Sequence, residues 1–88
     1  MEKVQILNRY GLHGRPTTMF VKLANRFEAE VRVCRDGDTE EVDGKSALAL
    51  LSLGVDHGGV LQIKARGRDA REAVQALAAL VRNRFQEE

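Results

Sequence analysis

Between Glu2 and Arg82 the apolar residues alternate between two spacings, every second residue and every third to fourth. This switching restricts the fold more than any single motif does. Residues 2 to 8, EKVQILN, set Val4 and Ile6 against Lys3 and Gln5, the period of a half-buried strand. From Pro16 the interval lengthens. Phe20, Val21, Leu23, Ala24 and Phe27 recur at helical spacing opposite Lys22, Asn25 and Arg26, and a proline without an N–H suits the first turn. A helix of about three turns is expected there. AEVRVCR then opposes Ala29, Val31 and Val33 to Glu30, Arg32 and Cys34, and Asp36-Gly37 is a turn signal leading into a short polar strand, TEEVD. GKSALALLSLG predicts a brief helix with Ser46 as N-cap and Gly54 at its end. GGVLQIKARG places Leu61, Ile63 and Ala65 on one strand face and Gln62, Lys64 and Arg66 on the other. The last helix carries a stripe of Ala70, Ala73, Val74, Leu77, Leu80 and Val81, and Asp69 and Glu72 have the spacing of an acidic capping box.

The resulting order, βαββαβα, makes the chain an α+β protein. Strands with one polar face, interrupted by amphipathic helices, imply a four-stranded, mostly antiparallel sheet covered on one face by three helices and wet on the other. Residues 1–88 are expected to form a single domain, because a chain of 88 residues buries only about 60 to 65 per cent of its unfolded surface and has no room for a second core. With 31% charged residues and a net charge of +1, nothing argues electrostatically for a nucleic-acid or membrane partner. The single cysteine, Cys34, lies on the polar face of its strand, cannot form an internal disulfide and points to a reducing compartment. No apolar run approaches about 18 residues, and MEKVQILNRY is too short and polar for a signal peptide. A soluble, cytoplasmic protein is expected.

Gly44-Lys45-Ser46 invites a nucleotide-binding reading, but a P-loop needs glycine five positions earlier, where Thr39 stands. A plain N-cap explains Ser46, and that is also where an added phosphate would meet free amides and the positive helix end. His57, between turn residues, has no recognisable partner in sequence and reads as a solvated turn histidine. His13 differs, because it stands just before a helix. Its imidazole can lie over the first-turn amides, of which those of Gly14 and Arg15 are nearest, an environment that attracts anions and keeps the ring neutral and nucleophilic. Arg15 adds a planar fork of donors suited to phosphate oxygens. The same residues also suit a histidine N-cap beside a solvated arginine, and local physics leaves both readings open.

The stretches GLHGRPTTMFVKLANRF, GKSALALLSLGV and GVLQIKARGRDAREAVQAL, in this order, resemble the HPr phosphocarrier proteins of the bacterial phosphoenolpyruvate-dependent phosphotransferase system over nearly the whole chain. The resemblance implies an open-faced β-sandwich, no metal or cofactor, and a relay protein rather than a free-standing enzyme. By it, His13 corresponds to the histidine that accepts phosphoryl at Nδ1 from enzyme I and passes it to a IIA-type protein. Arg15 corresponds to the arginine that stabilises the charge, with Gly14 and Thr17 lining the phosphate, and Ser46 to the serine modified by HPr kinase in many members. Matching positions suggest a docking patch of Met19, Phe20, Ala47, Leu48 and Leu51 with Lys22, Arg26 and Lys45 as a basic rim, presented by a monomer. An alternative within the resemblance is a mainly regulatory docking protein governed by Ser46 or His13. A generic βαββαβα binding module without phosphate chemistry is the third reading. The chain departs from the pattern at Gly14, where alanine or threonine is common, at Thr17, where alanine is usual, in a hairpin about two residues longer, and in small residues at Ala47 and Ala49. A glycine at position 14 is expected to loosen the first helical turn by up to about 1 kcal/mol.

Overall fold

Strands that are apolar on one face only must share a core, and helices with one apolar stripe supply its other wall. A computed structural model describes residues 1–86. It contains β1 (Glu2–Gln5), α1 (Arg15–Ala24), β2 (Glu30–Arg35), β3 (Val42–Asp43), α2 (Ala47–Ser52), β4 (Val60–Arg66) and α3 (Ala70–Arg82), in the expected order. The sheet order is β1-β4-β2-β3 with every pair antiparallel. Register puts Val4 opposite Leu61 and Val33 opposite Ile63, so that these residues share the helix-covered face. Phe20, Leu50, Leu77 and Val81 close the core from the helices, and all four are fully buried.

The strands are shorter than their patterns suggest. β1 stops at Gln5, although its path continues through reciprocal bonds in which Ile6 N–H donates to Gly59 at 2.8 Å and Gly58 N–H donates to Ile6 at 2.8 Å. β3 keeps only two residues, because the long hairpin arm before Val42 has no ladder partner.

The open face of the sheet is laced by ion pairs: Lys3 with Asp36 at 3.3 Å, Lys64 with Glu41 at 2.6 Å, and Glu30 with both Arg32 and Arg66 at 2.8 and 3.1 Å. Cys34 lies on this face as expected, yet only 3% of it is exposed, with its Sγ 3.8 Å from Gln62 Oε1. The long polar side chains of the face cover it, as such side chains do when their stems lie along a sheet.

Two further expectations are corrected. Asp69 precedes α3 but makes no capping bond to it. Its carboxylate instead accepts from Glu28 N–H at 3.0 Å and Ala29 N–H at 2.8 Å, tying the entry of β2 to the start of α3. These amide bonds, that from Glu28 foremost, hold the Asp69 carboxyl below the usual carboxylate range. A carboxyl depressed on folding contributes stability above its unfolded value, near 3.9, and loses it as the pH falls through the lower folded value. Asp69→Asn is therefore expected to lower the melting temperature at pH 7 and to flatten its fall below pH 4, which a thermal melt series across acid pH reads directly.

The chain also does not end its structure at α3. After Asn83 it makes a further turn, Arg84–Gln86, whose residues have φ of 53, 54 and 65°, and Phe85 is 0% exposed in the core. The left-handed turn reverses the chain after Asn83 and so brings Phe85 back into the core beneath α3 and α1.

Candidate functional site

Two loops meet at one end of the molecule. The first carries Leu12, whose N–H donates to Val55 at 3.0 Å and whose carbonyl accepts from Thr17 Oγ1 at 2.9 Å, while its side chain is fully buried. Asn8 braces the same loop by donating its amide to Gly11 at 2.7 Å. The second loop, Val55–Gly58, is held to the extension of β1 by the bonds of Ile6. Gly11 makes this closeness possible. A Cβ built there would lie 2.7 Å from both Asp56 Cα and Val55 O, and its φ is +69°.

His13 follows directly and points outward, its side chain 46% exposed. Its Nε2 lies 3.0 Å from Asp56 Oδ1. Sequence reasoning missed Asp56. The two residues are separated by 43 positions, and the only signal was that the glycine-flanked turn containing His57 holds an acid as well. His57 itself is exposed in that turn.

Behind His13 the N-terminus of α1 has no side-chain cap and no acidic residue in its first turn. Thr18 N–H reaches Gly14 O at 3.2 Å, and Pro16 has no N–H, so the amides of Arg15 and Thr17 are the donors that this helix end leaves without an intrahelical partner. Arg15 is exposed and has no ion-pair partner among the described residues. An anion beside His13 would thus meet two amides, the positive end of a helix and a free guanidinium.

The Thr17 hydroxyl is turned inward onto Leu12 O and the residue is 2% exposed, so toward the space beside His13 it offers its amide and not its hydroxyl. The expectation for Gly14 is corrected. It is the N-cap, at φ 56° and ψ −123°, not an interior helical residue, and glycine fits that conformation without strain. The space around it is open, since a Cβ would meet nothing within 4 Å. Gly14→Ala is expected to cost about 1–2 kcal/mol, from backbone strain alone. Urea denaturation checks this.

Helix α2 packs beside α1 and shows Ala47, Leu48 and Leu51 to solvent, with Leu48 81% exposed. Met19 is half-buried and lines a hollow with Leu23, Leu80 and Gln86, away from α2, whereas Phe20 is 0% exposed and belongs to the core, which removes both from the docking surface. Lys22 and Arg26 are exposed. Lys45 leaves the basic rim, because its ammonium donates to Phe27 O at 2.7 Å. Ser46 caps α2 as expected, its Oγ accepting from Ala49 N–H at 3.2 Å. Gly44 is explained by contact, since a Cβ there would lie 2.5 Å from Val31 Cγ1. The Gly-Lys-Ser stretch is thus architectural.

The family model described as "PTS HPr component phosphorylation site" matches residues 1–83. The Phosphocarrier protein HPr of Pseudomonas aeruginosa is 39% identical over 85 residues, covering 97% of this chain and 93% of that protein. The Multiphosphoryl transfer protein of Vibrio cholerae is 44% identical over 78 residues, covering 88% of this chain, which spans only 20% of that longer protein. Among solved structures, the crystal structure of HPr-C-His from Thermoanaerobacter tengcongensis superposes with a TM-score of 0.90 at 39% identity, covering 100% of this chain and 99% of the other. The open-faced α+β sandwich is the fold of these relatives, and the chain belongs to the HPr family of phosphotransferase-system phosphocarriers.

Proposed function

We propose that His13 accepts a phosphoryl group at Nδ1 from phosphorylated enzyme I and hands it to a histidine of a IIA-type protein in the cytoplasm. The observation that carries this reading is an exposed imidazole beside a helix N-terminus without a side-chain cap and an arginine that has no ion-pair partner among the described residues. In the accepting step the Nδ1 lone pair forms the new N–P bond, and the donor's N–P bond breaks with its electron pair returning to the donor ring. Handing on reverses these roles. Exchange between two imidazoles is nearly balanced in energy, so in-line positioning and charge neutralisation are what the protein must supply. Arg15 and the amides of Arg15 and Thr17 supply the neutralisation.

Incubating the chain with enzyme I and phosphoenolpyruvate should yield one acid-labile phosphate per molecule by intact mass. A folded chain that takes up none would overturn the reading.

Partners dock on the patch of Ala47, Leu48 and Leu51, with Arg15, Lys22 and Arg26 meeting acidic side chains. Leu48→Glu should raise the KM of the chain as a substrate of enzyme I by at least about tenfold, the size of a single interface hot spot, with no change in melting temperature. A regulatory role has its own support in Ser46, whose hydroxyl caps the helix that carries this patch. A phosphate added there by HPr kinase would place a dianion at the patch edge. Equal binding of enzyme I to unmodified and Ser46→Asp chains would count against it.

A further inference from the structure

We propose that Asp56 is a positioning residue for His13: its carboxylate fixes the imidazole as the Nε2–H tautomer and so leaves Nδ1 as the nucleophile. This rests on the reading of His13 as phosphoryl acceptor. A carboxylate can only accept a hydrogen bond, so at the 3.0 Å separation the hydrogen lies on Nε2 and the lone pair of the neutral ring lies on Nδ1.

The carboxylate is delivered by the backbone on both sides. Leu12 and Val55 are hydrogen-bonded across the two loops, Gly59 N–H donates to Asp56 O at 3.0 Å, and Gly11 lets the chain carrying His13 lie directly on Asp56 Cα. Asp56 has no competing duty. Its side chain is 82% exposed and forms no other hydrogen bond or ion pair among the described residues. The charged neighbours lining the adjacent hollow, Arg35, Asp36 and His57, have their own engagements or none with the ring: Arg35 faces Asp38 and Leu53 O, and Asp36 faces Lys3 and Gln62.

The arrangement also serves the phosphorylated state. Once Nδ1 holds the phosphoryl group, the ring keeps its Nε2 hydrogen and carries positive charge, which the carboxylate offsets. When the group leaves, the N–P electron pair returns to Nδ1, the ring becomes neutral, and the hydrogen stays on Nε2 against Asp56. No proton needs to travel in either direction.

The test is long-range 1H–15N correlation NMR of the unphosphorylated chain at a pH where the ring is neutral, with wild type, Asp56→Ala and Asp56→Asn. Wild type should show a single Nε2–H pattern, and Asp56→Ala a mixture of tautomers. In the enzyme I assay, kcat for Asp56→Ala should fall about two- to fivefold, the scale of one exposed charge pair, with KM unchanged. Asp56→Asn, which keeps an acceptor but not the charge, should fall between the two. A wild-type ring with its hydrogen on Nδ1, or an Asp56→Ala ring with the wild-type pattern, overturns the proposal. Because the NMR arm uses unphosphorylated protein, it decides the role of Asp56 even if no variant accepts phosphate, an outcome that would sink the proposed function instead.

Discussion

His13→Ala is expected to take up no phosphate from enzyme I and phosphoenolpyruvate while keeping the melting temperature of the parent. The chain has two histidines, and His57 is exposed in a turn whose neighbouring arginine, Arg35, is engaged by Asp38 and Leu53 O. The side chain of His13 is half exposed and among the described residues bonds only the exposed Asp56, so its removal leaves no buried partner unsatisfied. Loss of the label in this variant would therefore report chemistry and not unfolding. Label retained in His13→Ala would move the acceptor to His57. Arg15→Ala should keep the acceptor but slow acceptance by about 10²-fold, the cost of removing one well-placed donor from a site of developing charge. Arg15→Lys should recover only part of this, because an ammonium supplies charge without the planar fork. Single-turnover rates with phosphorylated enzyme I separate the three variants.

Gly11→Ala is expected to be the most damaging small substitution for the fold. A Cβ at this position would stand 2.7 Å from Asp56 Cα and Val55 O, which are backbone atoms that cannot swing aside, and φ is +69°. Overpacking costs about 1–3 kcal/mol and the left-handed backbone about 1–2 more, so a loss of roughly 2–5 kcal/mol follows. Against a total stability of about 5–15 kcal/mol for a domain, that is a large share. Gly37→Ala provides the control, since Gly37 has φ +95° but open space around it and should pay for the backbone alone. Urea denaturation of both decides the matter. A Gly11→Ala loss no greater than that of Gly37→Ala would mean that the two loops can part without cost.

The order of elements was legible because each strand and helix carries its own period, and His13 with Arg15 was legible because a helix start is a local signal. What escaped was set by residues distant in the chain. Asp56 meets His13 only because β1 lies beside β4. Asp69 looked like a cap by spacing, but the amides of Glu28 and Ala29 claim it. Along α1 the period marks Met19 and Phe20 as apolar neighbours without saying that Phe20 is buried in the core while Met19 lines a half-open hollow beside Leu80. Lys45 reads as a surface cation until Phe27 O takes its ammonium. Phe85 escaped as well, because it reaches the core through a left-handed turn that no periodic spacing announces.

The sheet order has a consequence for synthesis. β1 pairs with β4 alone, so the strand that leads into the His13 loop has no neighbour in the sheet until Val60 to Ile63 have been made. A nascent chain can show His13 and Arg15 long before it can hold them, because closing such a distant pairing must await the later strand. A ribosome stalled ahead of Val60 would therefore expose the histidine on an unformed loop without Asp56 fixed beside it. His13 and Asp56 are brought together only once β4 is there to take β1 as its neighbour.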